Sequence, residues 1–345
     1  MDNVLFSIGS LTVFKSALVI ALGVIIASVV TALLYKKETG SSTAVMVFMP
    51  IAYLLSVLFA RLLHWYFTEF AYDGLWQALT DFSVGSFAMA GLIIGVWLAA
   101  FIVKKLGYCE SKGLLLDCLA PGLCVIVAFI RLSCFWTGSC IGNRNIQSKL
   151  FQWSPLAIPV TDNAGNTDYR LRVYFIEAVL MVVLLVVVLI LLRKLADVRM
   201  YKPCAQDGNV AKIFIIFFAV IEVVIDSLRN DSILMRFRFL HKMNPYSSFI
   251  SLAQIFSLIL LICVFVYYLS KSIKIYGFDR GHLGAILVFL LCGVLMGGTG
   301  EFCIQRFGSI KFLFTIKTWG YISMLTGAVL MVKLILKQYK SCVNE

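Results

Sequence analysis

The chain has 345 residues, of which 61% are hydrophobic and only 14% are charged, and its formal net charge is +12 at pH 7. Soluble domains average about 45–50% apolar and about 25% charged residues, so this composition excludes an ordinary soluble domain. The lysines and arginines stand in short clusters between apolar runs, a placement that indicates membrane topology and argues against nucleic acid binding.

Apolar runs recur along the whole chain and are predicted to be membrane-spanning helices, because about 20 apolar residues cross a bilayer. They are residues 17–35, 44–63, 84–103, 114–130, 173–192, 213–225, 249–269, 283–296 and 319–336. The first run has neither a basic start nor a small-residue cleavage pattern, so we interpret it as a retained helix. The expected fold is therefore all-α, a polytopic transmembrane bundle of about nine spans.

Basic clusters follow the first, third and fifth predicted spans, which predicts that these three loops are cytoplasmic. They contain Lys36, Lys37, Lys104, Lys105, Lys112, Arg193, Lys194, Arg199 and Lys202. The segment between the second and third spans contains Glu69, Asp73 and Asp81 but no lysine, which fits the outer side. The pattern predicts an outside amino terminus and, after an odd number of spans, an inside carboxyl terminus.

Two of the predicted outer segments are long, about residues 134–172 and about residues 230–248. The first contains Pro155 and Gly165 among polar residues, and the second contains Asn244 followed by Pro245, as is typical of turns. Both segments are expected to form small arms over the outer face.

Ionisable residues within predicted spans are informative, because a charge in the hydrocarbon region is costly and marks a functional or paired site. Arg61, with His64 one turn later, lies at the outer end of the second span. Snorkelling of these side chains to the interface is the alternative interpretation. The sequence leaves both open.

Arg131 closes the fourth span at its outer end and begins a segment that contains Gly138, Ser139 and Gly142. Two glycines four positions apart permit a close backbone approach to a ligand or to another helix. The arginine offers a planar fork suited to a phosphate, although it could equally snorkel beside an ordinary loop. Cys134 and Cys140 lie on the predicted outer side, where two thiols can form a disulfide, and the sequence leaves that pairing open.

Three charged residues of the sixth span, Glu222, Asp226 and Arg229, have the spacing of a single helical face. Two carboxylates near membrane depth stay ionised only beside cations, and Arg61 and Arg131 lie at matching depth. These five residues are predicted to form a buried polar cluster at the outer leaflet. The cluster is either a structural ion-pair network or a lipid headgroup site.

Glu177 lies near the start of the fifth span, again on the predicted outer side, with Arg170 and Arg172 just before it. It either joins the polar cluster or anchors its own helix at the membrane surface. Of these two interpretations the anchor is slightly favoured.

These residues together resemble the prolipoprotein diacylglyceryl transferases, which move diacylglycerol from phosphatidylglycerol to the thiol of a lipobox cysteine. Residues 131–142 are similar to a variant of the family signature, R-x-G-C-F-x-x-G-C-C-x-G, and Asp226, Arg229 and Asp231 match a later acidic, arginine and aspartate pattern. The resemblance covers roughly residues 15–270. It implies a seven-span core with arms in residues 1–270 and an additional pair of helices in residues 271–345.

Several positions depart from the family pattern. Ala90 stands where the family carries a histidine, and Cys134, Thr137 and Ser139 replace two asparagines and an acidic residue of the signature. In the sixth span, Phe218 and Glu222 replace a tyrosine and an arginine. The resemblance therefore supports the fold more strongly than the activity. A catalytically inactive lipid- or lipoprotein-binding homologue, or a transferase with another acceptor, is the alternative.

The resemblance implies a multi-pass protein of a bacterial cytoplasmic (inner) membrane, with phosphatidylglycerol, a lipobox-containing prolipoprotein and membrane lipid as partners. It implies neither a cofactor nor a metal. The predicted catalytic residues are Arg131, Glu222 and Asp226, and the predicted substrate-binding residues are Arg61, Gly138, Ser139, Gly142 and Arg229. Glu222 or, as a weaker alternative, His64 is expected to act as the base for the acceptor thiol. A transporter is disfavoured, because the sequence contains no internal repeat and no pair of broken helices.

Overall fold

The computed structural model describes residues 3–8, 11–67, 74–80, 88–161, 165–199, 208–231, 251–276, 280–307 and 311–344. The helices are α1 (Lys15–Thr39), α2 (Thr43–Phe67), α3 (Leu75–Thr80), α4 (Met89–Lys105), α5 (Lys112–Thr137), α6 (Lys149–Gln152), α7 (Val173–Arg199), α8 (Asn209–Asp226), α9 (Leu252–Tyr276), α10 (Arg280–Phe307) and α11 (Lys311–Asn344). The strands are β1 (Val4–Ile8), β2 (Leu11–Phe14), β3 (Ala157–Thr161) and β4 (Thr167–Leu171). The chain is mostly helical, as predicted.

Within the described residues, seven helices are long and apolar enough to cross a membrane, namely α1, α2, α5, α7, α9, α10 and α11. The other two predicted spans also form helices. The α4 helix has 17 residues, and α8 has 18 residues that include Lys212, Glu222 and Asp226. Most side chains of α8 are buried, so this helix faces its neighbours more than lipid. That α4 and α8 span the membrane, and the orientation of the bundle, stay predictions.

The first predicted arm forms a compact structure after α5. It contains the short helix α6 and the antiparallel hairpin of β3 and β4, in which Ala157 pairs with Leu171 and Thr161 with Thr167. A second small hairpin, β1 with β2, precedes α1 and was not predicted. The second predicted arm lies almost entirely outside the described residues, as do Glu69, Asp73 and Asp81.

Small residues let α2 and α4 approach closely. A Cβ atom on Gly91 would overlap the backbone nitrogen of Ala60, and one on Gly95 would overlap the backbone of Ser56. The N–H of Ala88 also donates to the carbonyl of Ala60. Close contact of this kind is how helices commonly associate in membranes.

A buried carboxylate connects α5 to the start of α8. Asp117 is 0% exposed, and its two oxygens accept the N–H groups of Gly208 and Ala211, each at 2.8 Å. The first N–H groups of a helix have no partner within the helix, so this carboxylate caps α8 from outside. The sequence signal for it was a charged residue inside the predicted span 114–130, and our sequence analysis missed it.

The two helices after residue 270 pack on α8 and α9. Ile286 and Leu290 of α10 and Met324 of α11 share one apolar core with Ile216 and Val220 of α8. The C-terminal pair is therefore part of the bundle that surrounds α8. Its division from the core as a separate unit stays a prediction.

Candidate functional site

A buried arginine joins three helices. Arg131 lies near the end of α5 and is 6% exposed. Its Nε lies 2.6 Å from Oε1 of Glu177 in α7, and its Nη2 lies 2.9 Å from Oε1 of Glu222 in α8. Both glutamates are almost completely buried. Removing one member would leave an uncompensated buried charge, so the three side chains behave as one unit that ties α5, α7 and α8 together.

A second charged group follows the end of α8. Nη1 of Arg229 lies 3.6 Å from Oδ1 of Asp226, and its Nε donates to Oδ1 of Asp231 at 3.0 Å. The other oxygen of Asp231 accepts the N–H of Cys140 at 2.9 Å. Burial alone would raise the pKa of Asp231, but the Arg229 hydrogen bond and charge and the Cys140 amide outweigh it, so this pKa lies below its ordinary value.

The two groups together carry a formal net charge of −2 when every member is ionised, because two arginines face four carboxylates. The members are Arg131, Arg229, Glu177, Glu222, Asp226 and Asp231. An anionic ligand therefore requires that a carboxylate takes up a proton or gives up its place at a guanidinium. Protonation or displacement of a carboxylate is therefore part of anion binding at these guanidinium groups.

Two backbone segments meet beside these charges and form what we call the site ladder, residues 141–143 and 228–230. The N–H of Asn143 donates to the carbonyl of Leu228, and the N–H of Asn230 donates to the carbonyl of Ile141, both at 3.0 Å. The Asn143 side chain also donates to the carbonyl of Ser227 at 3.5 Å. The ladder fixes the segment after α5 against the segment after α8.

The two glycines of the Arg131 segment have different backbone roles. Gly138 ends α5 with a φ of +66°, in the left-handed region that glycine tolerates best. Gly142 donates its N–H to the carbonyl of Leu171 at 2.8 Å, and a Cβ atom on it would lie 2.9 Å from the Cβ of Leu171. These contacts shape the loop. Substrate binding by either glycine stays a prediction.

Two free thiols lie beside Arg131. The sulfur atoms of Cys134 and Cys140 are 3.0 Å apart, and the Cys140 sulfur lies 3.8 Å from Nη1 of Arg131. Cys140 has a φ of +56°, the one positive φ at a non-glycine residue in the described part of the chain. The hydrogen bond with Cys134, together with burial, raises the pKa of Cys140. The structure thus brings together the two cysteines whose pairing the sequence left open.

The structure brings several residues of the predicted polar cluster into contact, and it adds Glu177 to them. Arg131 contacts Glu222 directly, and Asp226 pairs with Arg229. Glu177 is a full member of the cluster, so the preferred interpretation of it as a surface anchor is wrong. A carboxylate that lies 2.6 Å from an arginine nitrogen and is 0% exposed does not reach the protein surface.

The remaining predicted site residues are Arg61, His64 and Ser139. Arg61 and His64 are both buried on α2, at 1% and 4% exposure, beside the α4 interface. Their membership of the Arg131 cluster stays a prediction. Ser139 is partly exposed and hydrogen-bonds through its hydroxyl with Thr137 at 2.6 Å.

Sequence analysis also missed a reciprocal cap at the start of α9. The Ser251 hydroxyl accepts the N–H of Gln254, and Gln254 Oε1 accepts the N–H of Ser251, both at 3.1 Å. The Gln254 side chain then donates to the carbonyl of Val223 in α8 at 3.2 Å. The pattern S-x-x-Q before an apolar run was the available signal.

Comparison with known proteins gives a consistent result. The sequence model of the family described as prolipoprotein diacylglyceryl transferase matches residues 3–270. That range includes every residue of the two charged groups and ends before α10 begins.

Individual relatives carry the corresponding name. A phosphatidylglycerol–prolipoprotein diacylglyceryl transferase of Dehalococcoides mccartyi is 27% identical over 235 residues, which are 67% of this chain and 84% of the relative. The protein named phosphatidylglycerol–prolipoprotein diacylglyceryl transferase 1 of Clostridium perfringens is 26% identical over 236 residues, which are 68% of this chain and 85% of the relative. The similarity is thus distant but extends over most of each relative.

Proposed function

The chain belongs to the prolipoprotein diacylglyceryl transferase family, and we propose that it transfers diacylglycerol from phosphatidylglycerol to the thiol of a lipobox cysteine. The proposed setting is the outer leaflet of a bacterial cytoplasmic membrane. The observation that carries the proposal is the buried contact of Arg131 with Glu177 and Glu222. A cation and a base held together in this way are the two groups that the reaction requires.

In the reaction, the acceptor sulfur attacks the glycerol carbon that carries the phosphate. A carbon–sulfur bond forms, the carbon–oxygen bond breaks, and glycerol phosphate leaves with the electron pair. The thiol proton needs an acceptor, because a cysteine thiol with a pKa of about 8.5 is mostly protonated at neutral pH. The leaving phosphate gains negative charge and needs a cation.

We assign the cation to Arg131 and the base to Glu222. Glu222 Oε1 accepts from Arg131 Nη2, so the base and the cation are paired with each other in the resting site. When Glu222 takes the thiol proton it loses its charge, and its hold on the guanidinium weakens. Arg131 is then free to bind the phosphate while its negative charge grows, so the contact is stronger in the transition state than in the ground state.

We assign supporting roles to the second charged group. Arg229, paired with Asp226 and Asp231, supplies another cation next to the same helix end. Asp226 orients Arg229 by its charge, and Ser139 and the loop of Gly138 and Gly142 line the approach to Arg131. Arg61 is proposed as a further headgroup contact from α2.

The second candidate is a homologue that binds lipid or lipoprotein without turnover. The formal charge of −2 on the two charged groups favours it, because Arg131 can assist a leaving phosphate only after a carboxylate is protonated or displaced, which hinders turnover. The substitutions at Ala90, Cys134 and Ser139 point the same way, because the family carries other residues at these positions.

One experiment separates the two candidates. The purified protein is incubated with phosphatidylglycerol and a peptide that contains a lipobox cysteine, and mass spectrometry follows the diacylglyceryl adduct on that cysteine. We expect an adduct with the parent and at least about a hundredfold slower formation with Arg131→Lys, which loses the planar fork. Arg170→Lys, a partly exposed arginine on β4, is the matched control and keeps the parental rate. No adduct with the parent, while phosphatidylglycerol still co-purifies, would select the binding homologue.

A further inference from the structure

One face of α11 contacts residues that flank the site ladder. Phe314, Lys317 and Tyr321 are spaced three and four positions apart, so they lie on one side of the helix. Lys317 is 8% exposed, and its Nζ donates to the carbonyl of Ser227 at 3.5 Å. The same Nζ lies 5.7 Å from the centre of the Tyr321 ring. Ser227 directly follows Asp226 and precedes the ladder.

The same face also contacts the residue that follows the other segment of the ladder. The guanidinium carbon of Arg144 lies 4.0 Å from the centre of the Phe314 ring, a distance typical of a cation–π contact. Arg144 follows the ladder residues 141–143 directly. The residues that flank the ladder are therefore in contact with α11, Ser227 through Lys317 and Arg144 through Phe314.

Lys317 places a charge between helices that otherwise pack through apolar side chains. Lys317 also pairs with Glu301 of α10, and both side chains are largely buried between the helices. A buried ion pair adds little stability compared with apolar side chains of similar size, although breaking it is costly. What it does provide is one defined arrangement of the groups that it joins. The pair here orients the ammonium group that donates to Ser227.

We propose that Lys317 and Phe314 are positioning residues, which hold the site ladder and thereby set Arg229 and Asp226 relative to Arg131. The family match ends at residue 270, so this support comes from helices outside the matched region. In this interpretation the C-terminal pair completes the site without contributing a group that touches substrate. Two experiments test this proposal. The measurement of turnover rests on the proposed transferase function, whereas the measurement of hydrogen–deuterium exchange does not.

The first test is hydrogen–deuterium exchange of the full-length protein in lipid nanodiscs. The amides of Asn143 and Asn230 donate across the ladder, so their exchange reports its opening. We expect exchange at least about tenfold faster in Phe314→Leu and in the double variant Lys317→Met with Glu301→Gln, which leaves no unpaired buried carboxylate. The controls on the same helix are Phe312→Leu and Lys311→Met, at exposed positions, and they keep the parental rates.

The second test is turnover with phosphatidylglycerol and a lipobox peptide. A positioning role predicts that kcat falls about tenfold in Phe314→Leu while the lipid KM and the melting temperature stay near the parental values. Lys317→Arg keeps a cationic donor and should retain turnover. The proposal is wrong if the amides of Asn143 and Asn230 exchange at the parental rate in both Phe314→Leu and the double variant. It is also wrong if the controls on the same helix speed up this exchange equally. Absence of turnover in the parent would overturn the proposed function alone, since the exchange result needs no activity. Should the double variant fail to fold, Phe314→Leu decides the question.

Discussion

Arg131 and Glu222 are 91 positions apart in the chain, yet Arg131 Nη2 donates to Glu222 Oε1 at 2.9 Å in a pair that is almost fully buried. The pair joins α5 to α8 near the ends of both helices. Towards their starts the same two helices are joined by Asp117, whose carboxylate accepts the N–H groups of Gly208 and Ala211. The two helices are therefore joined at both ends of the α5–α8 interface, which fixes their register.

The first prediction concerns the charge of Glu222. Glu222→Gln keeps the shape of the side chain but removes the proton acceptor, so we expect diacylglyceryl transfer to fall at least about a hundredfold. The rate of adduct formation on a lipobox peptide measures the effect. Glu110→Gln, at an exposed position between α4 and α5, serves as the control and leaves the rate unchanged. Transfer at the parental rate by Glu222→Gln would remove Glu222 from the role of base.

The second prediction concerns the stability of the Arg131 group. Arg131→Met strands two buried carboxylates, so the free energy of unfolding should fall by about 3–5 kcal/mol. Adding Glu177→Gln and Glu222→Gln to it removes both stranded charges and should recover most of the loss. The thermal midpoint in one detergent and at one pH compares the three proteins. If the triple variant is no more stable than the single one, the three side chains do not form one electrostatic unit.

The helical segments were predictable because the length of an apolar run is a local property of the sequence. All the predicted spans contain or overlap a helix, and the same-face spacing of Glu222, Asp226 and Arg229 correctly indicated a charged cluster. The partners were harder to predict. Glu177 is the one charged residue of the predicted span 173–192, and nothing near it in the sequence shows that α7 turns it towards Arg131.

The contact of α11 with Ser227 could not be predicted from the sequence for the same reason. Lys317 has the sequence environment of an ordinary residue near a membrane surface, and only the packing of α10 and α11 on α8 brings it to Ser227. Contacts between distant segments depend on how helices associate, which hydropathy and spacing do not encode. Sequence analysis therefore located the charged residues but not the network that joins them.

The third prediction concerns the close approach at Gly142. A Cβ atom there would lie 2.9 Å from the Cβ of Leu171 and 3.0 Å from its backbone nitrogen, so Gly142→Ala must push the loop away from β4. We expect a loss of about 1–3 kcal/mol in stability and a clear loss of turnover, because the same loop carries the ladder. Gly284→Ala in α10 is the control, since a Cβ atom there meets no neighbour within 4 Å. Thermal midpoints and adduct formation of both variants test it, and equal behaviour of the two would contradict it.

The fourth prediction is a pH dependence that Asp231 causes. Its pKa in the folded protein lies below the ordinary value, so its contribution to stability is present above the unfolded pKa of about 3.9 and is lost as the pH falls through the folded value. Asp231→Asn should therefore be less stable than the parent at pH 7, with the difference shrinking below about pH 4. Thermal midpoints of both proteins between pH 7 and the acid limit measure it. A difference that is constant with pH would assign the effect to the lost hydrogen bond geometry instead of the charge.

The fifth prediction concerns the thiols of Cys134 and Cys140, whose sulfur atoms lie 3.0 Å apart. A disulfide-bearing oxidant such as oxidised glutathione should convert them to a disulfide by thiol–disulfide exchange, with two thiols of glutathione released. The thiolate is the attacking species, so the reaction should be faster at alkaline pH, where more thiolate is present. Cys140 also contacts Arg131 through its sulfur and Asp231 through its N–H, so the disulfide should slow turnover reversibly. Mass spectrometry of unreduced peptides detects the bond, and a variant with Cys134→Ser and Cys140→Ser should keep its rate in the oxidant. Turnover that the oxidant slows equally in parent and variant would place the sensitive thiol elsewhere.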